Sequence, residues 1–244
     1  MASKIIVDQL EKTGGALTAL TLPTGNASAS QYLQNDGAGA LSWASAAAGF
    51  NSVQAFTVGG TWTKPVGVGI TKILVFITGG GGGGMYRAGD FGTGGGAAST
   101  AIKFIDVSSI ASVVFTIGAG GVGGSASDPY LAPAGGASAF GVAPATVHCT
   151  AGGGGQTSGT GLPGPGGTAT GGDVNIVGGG GTYGGGGSGQ GGASFWGSGT
   201  SVRNTGAAYA APLANGTYGS GGGGARAAAS GSGGDGVCFV MEFK

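Results

Sequence analysis

"ITGGGGGGMYRAGDFGTGGGAAST", residues 77–100, begins as the end of a β-strand and runs into six consecutive glycines. Such a run is either a floppy spacer or a backbone packed where no Cβ fits. The composition favours packing. The chain has 64 glycines in 244 residues, far above the usual level of roughly 7%. Yet its mean hydropathy is positive and only 7% of its residues are charged, whereas a disordered linker is poor in hydrophobes and rich in charge, Pro or Ser. Fixing a glycine in regular structure costs about 0.5–1 kcal/mol relative to alanine, so ordering dozens of them costs on the order of tens. Three-residue-per-turn extended helices of the polyproline-II kind offer the compensation. Without Cβ atoms, neighbouring rods approach until N–H groups reach carbonyls and Cα–H groups meet oxygens, the latter adding about 0.5–1 kcal/mol each.

Three textures divide the chain. Residues 1–48 are short β-like pieces, "KIIVDQL", "ALTALTLP" and "QYLQNDGAGALSW", separated by turns, and "NDGAGA" is strong turn chemistry. These pieces are too short to close a core alone, so they are expected to wind with copies of themselves, with Ile5, Val7, Leu17, Leu20 and Leu22 on a shared axis. "ASAAAG", 44–49, reads as a linker. Residues 49–244 read as one glycine-rich β domain. Its strands over 52–151, "VQAFTV", "GTWTKP", "KILVFIT", "TAIKFIDV", "SVVFTIG" and "TVHCTA", and a last one over 236–243, "GVCFVMEF", bracket a glycine-rich region at 152–235. In "KILVFIT" both alternate sets are apolar, so both faces should be covered. In the last strand Val237, Phe239, Met241 and Phe243 share a face. The glycine runs follow no strict G-x-y period, which disfavours collagen, and match no leucine-rich, WD or hexapeptide repeat. The fold class expected is all-β: a short fibre-type N-terminal segment, then a β-sandwich-like domain with packed polyglycine-II-type rods and loops.

"AFTVGGTWTKPVGVGITKILVFITGGGGGG" resembles the opening of the glycine-rich domain common in bacteriophage tail proteins, and "GGDGVCFVMEF" resembles its end. "QYLQNDGAGALSW" and "KIIVDQLEKTGGALTALTLPTG" are similar to segments of phage tail fibres. The resemblance implies a trimeric fibre segment attached to a virion and a distal domain. Its partners would be other virion tail proteins and a bacterial surface receptor, polysaccharide or outer-membrane protein. Long-tailed phage adhesins whose stacked polyglycine-II helices present apical loops to the host are a looser analogy.

Electrostatics names no partner: nine basic and nine acidic residues leave no net charge to draw the chain onto nucleic acid or anionic lipid. Lys4, Asp8 and Glu11 interrupt what would have to be the apolar core of a signal peptide, and no stretch reaches the roughly 20 apolar residues of a membrane span. Cys149 and Cys238 lie in apolar strand-like runs, where buried thiols are the simplest reading beside a disulfide or a metal ligand.

Catalysis finds little support. The single histidine, His148, adjoins Cys149 in a strand, where neighbours point to opposite faces. Asp90, Asp128, Asp173 and Asp235 fall in turn-like stretches, where Asp commonly supports the turn, although Asp90 with Asp128 would be the pair to ask about for a glycosidase. "GAGGVGG", 118–124, matches G-x-G-x-x-G through glycine abundance, with no helix after it, so no cofactor is expected.

What remains is a binding surface. Aromatic and cationic residues collect in the excursions between glycine runs, and Tyr86, Arg87, Phe91, Tyr130, Phe195 and Trp196 are the receptor-binding candidates, with Tyr183, Arg203, Asn204, Tyr209 and Tyr218 beside them. Tyr, Trp and Arg dominate binding energy at interface centres. The competing reading makes them plugs over the rod ends or trimer contacts. The expectation is a non-enzymatic tail-fibre or tail-tip adhesin in the virion; the alternative is a purely structural virion component. An ice-binding role would need a more regular repeat with a flat face.

Overall fold

The computed structural model describes residues 9–10, 20–28, 31–38, 40–45, 49–88, 90, 92–126, 132–141, 146–157, 161–184, 188–200, 215–226 and 229–244. The chain forms two compact units, Met1–Gly49 and Phe50–Lys244. In the first, β1 (Gln9–Leu10) pairs antiparallel with β2 (Leu20–Thr21), and β3 (Gln31–Asn35) with β4 (Leu41–Ser45). The β3–β4 turn forms as its chemistry dictates. The Asn35 side chain accepts from Gly37 N–H at 2.6 Å, the Asp36 side chain accepts from Ala38 and Ala40, and Gly37 has φ +84°. Trp43 is pinned by its indole N–H to the Gly25 carbonyl at 2.6 Å. Of the proposed axial residues, Ile5, Val7, Leu17 and the Leu20 side chain lie outside the described residues, and Leu22 is half-buried.

The second unit is all-β. Its strands are β5 (Phe50–Phe56), β6 (Gly60–Thr63), β7 (Lys72–Thr78), β8 (Thr100–Asp106), β9 (Ser112–Thr116), β10 (Ser138–Phe140), β11 (Cys149–Ala151), β12 (Ala169–Thr170), β13 (Val174–Ile176) and β14 (Val237–Phe243). They build two antiparallel sheets, ordered β12-β11-β10-β9-β6 and β13-β8-β7-β14-β5. The inward set of β7, Ile73, Val75 and Ile77, meets Trp62 of β6, Phe115 of β9 and Phe140 of β10 in one hydrophobic core. Each such side chain contributes about 1.5–3 kcal/mol when fully buried. Phe115 packs on Phe56 and stacks on Phe140, with centroids 4.7 and 6.2 Å apart. On β14 the apolar quartet Val237, Phe239, Met241 and Phe243 does share a face, but it is the outer one. The core receives Cys238, Val240 and Glu242.

The glycines form the third layer. In the run 79–85 successive N–H groups go to different neighbours and return every third residue. Gly80 and Gly83 donate to Gly136 and Pro133 at 2.8 and 3.0 Å; Gly81 and Gly84 donate to Gly234 and Gly231 at 2.8 and 3.0 Å; Gly82 and Met85 donate to Gly96 and Thr93 at 2.8 and 2.9 Å. Its carbonyls receive from three further segments: Gly80 from Gly154, Gly81 and Gly84 from Gly121 and Gly124, Gly82 and Met85 from Gly222 and Ala225. That is the three-fold repeat of a polyglycine-II rod with neighbours on every side. Side chains are barred sterically. A Cβ on Gly80, Gly81, Gly82, Gly83 or Gly84 would overlap the carbonyl of Ala119, Ser220, Gly155, Val122 or Gly223 respectively. The run 94–99 repeats the pattern, its N–H groups going in turn to 179–182, 219–222 and 152–155 and returning to each after three residues.

The bundle is therefore not confined to 152–235. The chain leaves β7 in an outward run and returns into β8, leaves β9 and returns into β10, and leaves β11 and returns into β12. Several out-and-back runs then join β13 to β14. The central rod, 79–85, belongs to the stretch that sequence reading assigned to strands. The short strands β10, β12 and β13 went unread because glycine, alanine and turn residues surround them.

Candidate functional site

This threading separates the candidate residues onto two ends of the bundle. At the end away from the sheets lie the residues flanking the reversals after 85, 157, 182 and 225. Phe91 and Tyr130 lie outside the described residues, as do Asp128, Arg203, Asn204 and Tyr209. Tyr86 is only 9% exposed and bridges to Ala225 in parallel, while the preceding Met85 is fully buried. Tyr86 thus plugs the rod end instead of presenting its ring on a loop tip. Arg87 is the residue that emerges. Its N–H donates to the Ala225 carbonyl at 3.0 Å, its guanidinium meets Asp90 at 3.2 Å, and the same group lies against Gly161 of a neighbouring loop. Beside it the Thr93 hydroxyl reaches the Leu162 carbonyl at 3.4 Å. Leu162 is exposed, and so is Tyr183, at 60%.

Phe195 and Trp196 sit at the opposite end, in a reversal against the sheet. The Trp196 ring packs on Phe239 of β14 at 4.7 Å and meets Phe76 of β7 edge-on at 6.1 Å. Its indole N–H donates to Thr78 Oγ1 at 2.8 Å. Phe195 stacks near Phe76 and crosses Trp196 at 90°. This pair supplies the second cover expected for "KILVFIT", over Phe76. Farther along the same outer face Phe50, Val53 and Phe104 stay exposed, Phe50 at 58%.

A groove of about 650 Å³ opens beside Trp196, between the reversal at 215–218 and the inward run 232–235. Tyr218, Asn215, Asp235 and Ser232 line it, over a floor that includes Gly120 and Gly233. It lies at an edge of the lattice. Gly120 and Gly123, three residues apart on one rod, donate to the side chains of Asp235 and Ser232, at 2.8 and 3.1 Å, in place of a neighbouring backbone.

The polar cluster that sequence reading missed is Glu242, which is 1% exposed. One carboxyl oxygen accepts from Gln54 Nε2 and Trp62 Nε1, each at 2.8 Å, and the other accepts from the Ser52 hydroxyl. These donors satisfy the group and leave it nothing to offer a substrate, so it is a tie between β5, β6 and β14. Its signal was the alternation itself, since residue 242 shares a face with Cys238 and Val240. Cys149 and Cys238 are buried free thiols. Burial pushes Cys149 up to about 11, and Cys238 is raised further for the same reason. Thiols protonated to that degree at neutral pH are poor nucleophiles. His148 is half-buried with its ring near Phe140, and burial lowers its pKa.

Residues 51–241 match the family described as a glycine-rich domain, a span from β5 to within two residues of the end of β14. No curated protein matches the chain.

Proposed function

The chain belongs to the glycine-rich domain family, and from that premise we propose that it is a bacteriophage tail-fibre or tail-tip protein, a non-enzymatic adhesin that recognises a bacterial surface receptor. The observation that carries the reading is the threading of the bundle. Rods whose central glycines leave no room for a Cβ hold the segments flanking the reversals together at the end farthest from the sheets, with Leu162 and Tyr183 exposed and the Arg87 side chain half-exposed. Rigid scaffold with variable tips is the usual division of labour in recognition proteins. The exposed outer face around Phe50, Val53 and Phe104 supports assembly with further copies, a homotrimer in this reading, or with other virion proteins.

One observation favours the alternative, a purely structural virion component: Tyr86 and Trp196 are used inside the fold. Binding of the isolated protein to host cells separates the two. Arg87→Ala and Tyr183→Ala should each weaken cell binding by roughly 1–3 kcal/mol per productive contact, with the melting transition kept. Affinity should vary little with salt, because few charges take part. No cell binding by the parent protein would leave the structural-component reading standing, and undiminished binding by the double variant would refute the loop-tip contact.

A further inference from the structure

We propose that the groove beside Trp196 is a binding site for a neutral oligosaccharide, on the flank of the bundle and not at its loop tips. The groove is built. A single hydroxyl, Ser194 Oγ, accepts from the Trp196 N–H at 3.2 Å and donates to the Tyr218 carbonyl at 2.6 Å, so the backbones of both aromatic residues are clamped to one atom. Trp196 is fixed a second time by its indole bond to Thr78 and its contact with Phe239. Tyr218 keeps 44% exposure. The held Trp196 ring and the half-exposed Tyr218 ring, whose backbone is held, give flat apolar surface beside a glycine floor of the sort that stacks on the C–H face of a pyranose, and the fixed Trp196 loses little entropy on binding.

The polar groups complete the pattern. Asp235 gives one carboxyl oxygen to Gly120 and the Asn215 carbonyl oxygen accepts from Ser232 N–H at 3.3 Å, which orients both side chains for hydroxyl groups. Asp235 sits on the wall and, among the described residues, no Lys, Arg or His lines the groove, so a uronate or phosphorylated sugar finds no counter-charge from them. An extended peptide is disfavoured too. The N–H groups of Gly233 and Gly234 are turned into the bundle, onto Gly121 and Ser220, leaving them unable to pair with an added strand. The volume suits a ligand of several rings.

The inference takes its biological setting from the receptor-binding reading, while its chemistry can be tested alone. Tetrasaccharides of glucose, galactose, mannose and N-acetylglucosamine, with tetragalacturonate as the anionic comparison, are titrated into the full chain and followed by calorimetry. At least one neutral tetrasaccharide should bind below about 10 mM, with Tyr218→Ala weakening it about tenfold or more and Asp235→Asn several-fold. Asparagine keeps the acceptor for Gly120, and among the described residues the Tyr218 ring packs on no other aromatic ring, so both variants should melt like the parent. Val66→Ala, at an exposed position between β6 and β7 that takes no part in the groove, should leave this affinity unchanged. Absence of binding by every neutral probe, equal binding of tetragalacturonate, or full affinity in Tyr218→Ala would each overturn the proposal. Saccharide binding without cell binding would sink the adhesin reading and keep the groove; cell binding indifferent to Tyr218→Ala and to free saccharide would do the reverse.

Discussion

Between the sheets, Trp62, Phe115 and Phe140 are buried because their side chains fill the space; in the bundle, Gly80 through Gly84 are equally buried because they have none. The first region gains stability from apolar area and tolerates changes in the shape of a side chain, within limits set by cavities and overpacking. The second gains it from N–H···O bonds repeated every third residue and from backbones at van der Waals contact, so it tolerates nothing larger than hydrogen where a carbonyl stands opposite. Net hydrogen-bond contributions of about 0.5–1.5 kcal/mol are of the same size as the conformational cost of each glycine. The bundle is thus a near balance that succeeds only when every rod is in place, anchored by a conventional core that supplies the surplus.

The sharpest way to break the comparison is a side chain in the central rod. Gly81→Val should abolish cooperative folding or cost on the order of 5 kcal/mol, since its Cβ would overlap the Ser220 carbonyl and no flexible atom can yield. Gly180, in a second uninterrupted glycine run, is exposed, and the nearest atom to an added Cβ is 3.7 Å away. Gly180→Ala should therefore be neutral or stabilise by about 0.5 kcal/mol. Denaturant melts of the two variants decide the matter, and similar losses in both would refute the lattice account.

The pair also marks the limit of what could be read beforehand. That the glycines pack, that the class is all-β and that "NDGAGA" turns were legible, because composition, β-branched runs and turn chemistry are local. Which glycines are enclosed was not, since enclosure depends on segments far away, such as 220 beside 81. For the same reason Tyr86 and Trp196 read as free excursions. Nothing within a few residues of either announces that Ala225 or Phe239 will meet it. Arg87 shows the same limit: Asp90 is a local partner, but Ala225 and Gly161 come to it from far along the chain.

The core can be probed through Glu242, the carboxyl that is buried among the described residues. Glu242→Ala should cost about 3 kcal/mol, because Trp62 keeps a buried donor, and Gln54 a half-buried one, with no acceptor. Glu242→Gln should cost under about 1 kcal/mol, since an amide oxygen can serve those two donors while its NH2 turns to the Ser52 hydroxyl, which accepts as readily as it donates. Equal losses in the two variants would mean that the tie is not what holds β14 to β5 and β6.

The smallest expected effect is at the sheet surface. Asp173 accepts from Lys103 Nζ at 2.7 Å and from Phe104 N–H at 2.8 Å, and these bonds, the lysine's first, lower its pKa. A carboxyl depressed on folding adds stability above its unfolded value near 3.9, and that stability is lost as pH falls through the lower folded value. Melting temperature should therefore fall on acidification below about pH 4, and Asp173→Asn should flatten that part of the profile slightly. A profile as steep in the variant would assign the acid loss elsewhere.

The return of each rod to the same neighbour after three residues gives this backbone something like a reading frame. One residue inserted into 79–85 would rotate every later N–H by a third of a turn onto a partner already engaged. Three inserted residues would restore the phase while lengthening the rod by about 9 Å, and would need matching triplets in all the rods around it. Among the described residues this three-residue repeat stops at the rod ends, where a change of length leaves the phase intact. Substitutions and insertions accepted over time are thereby channelled to the rod ends, and the fold itself determines where this protein can change what it touches.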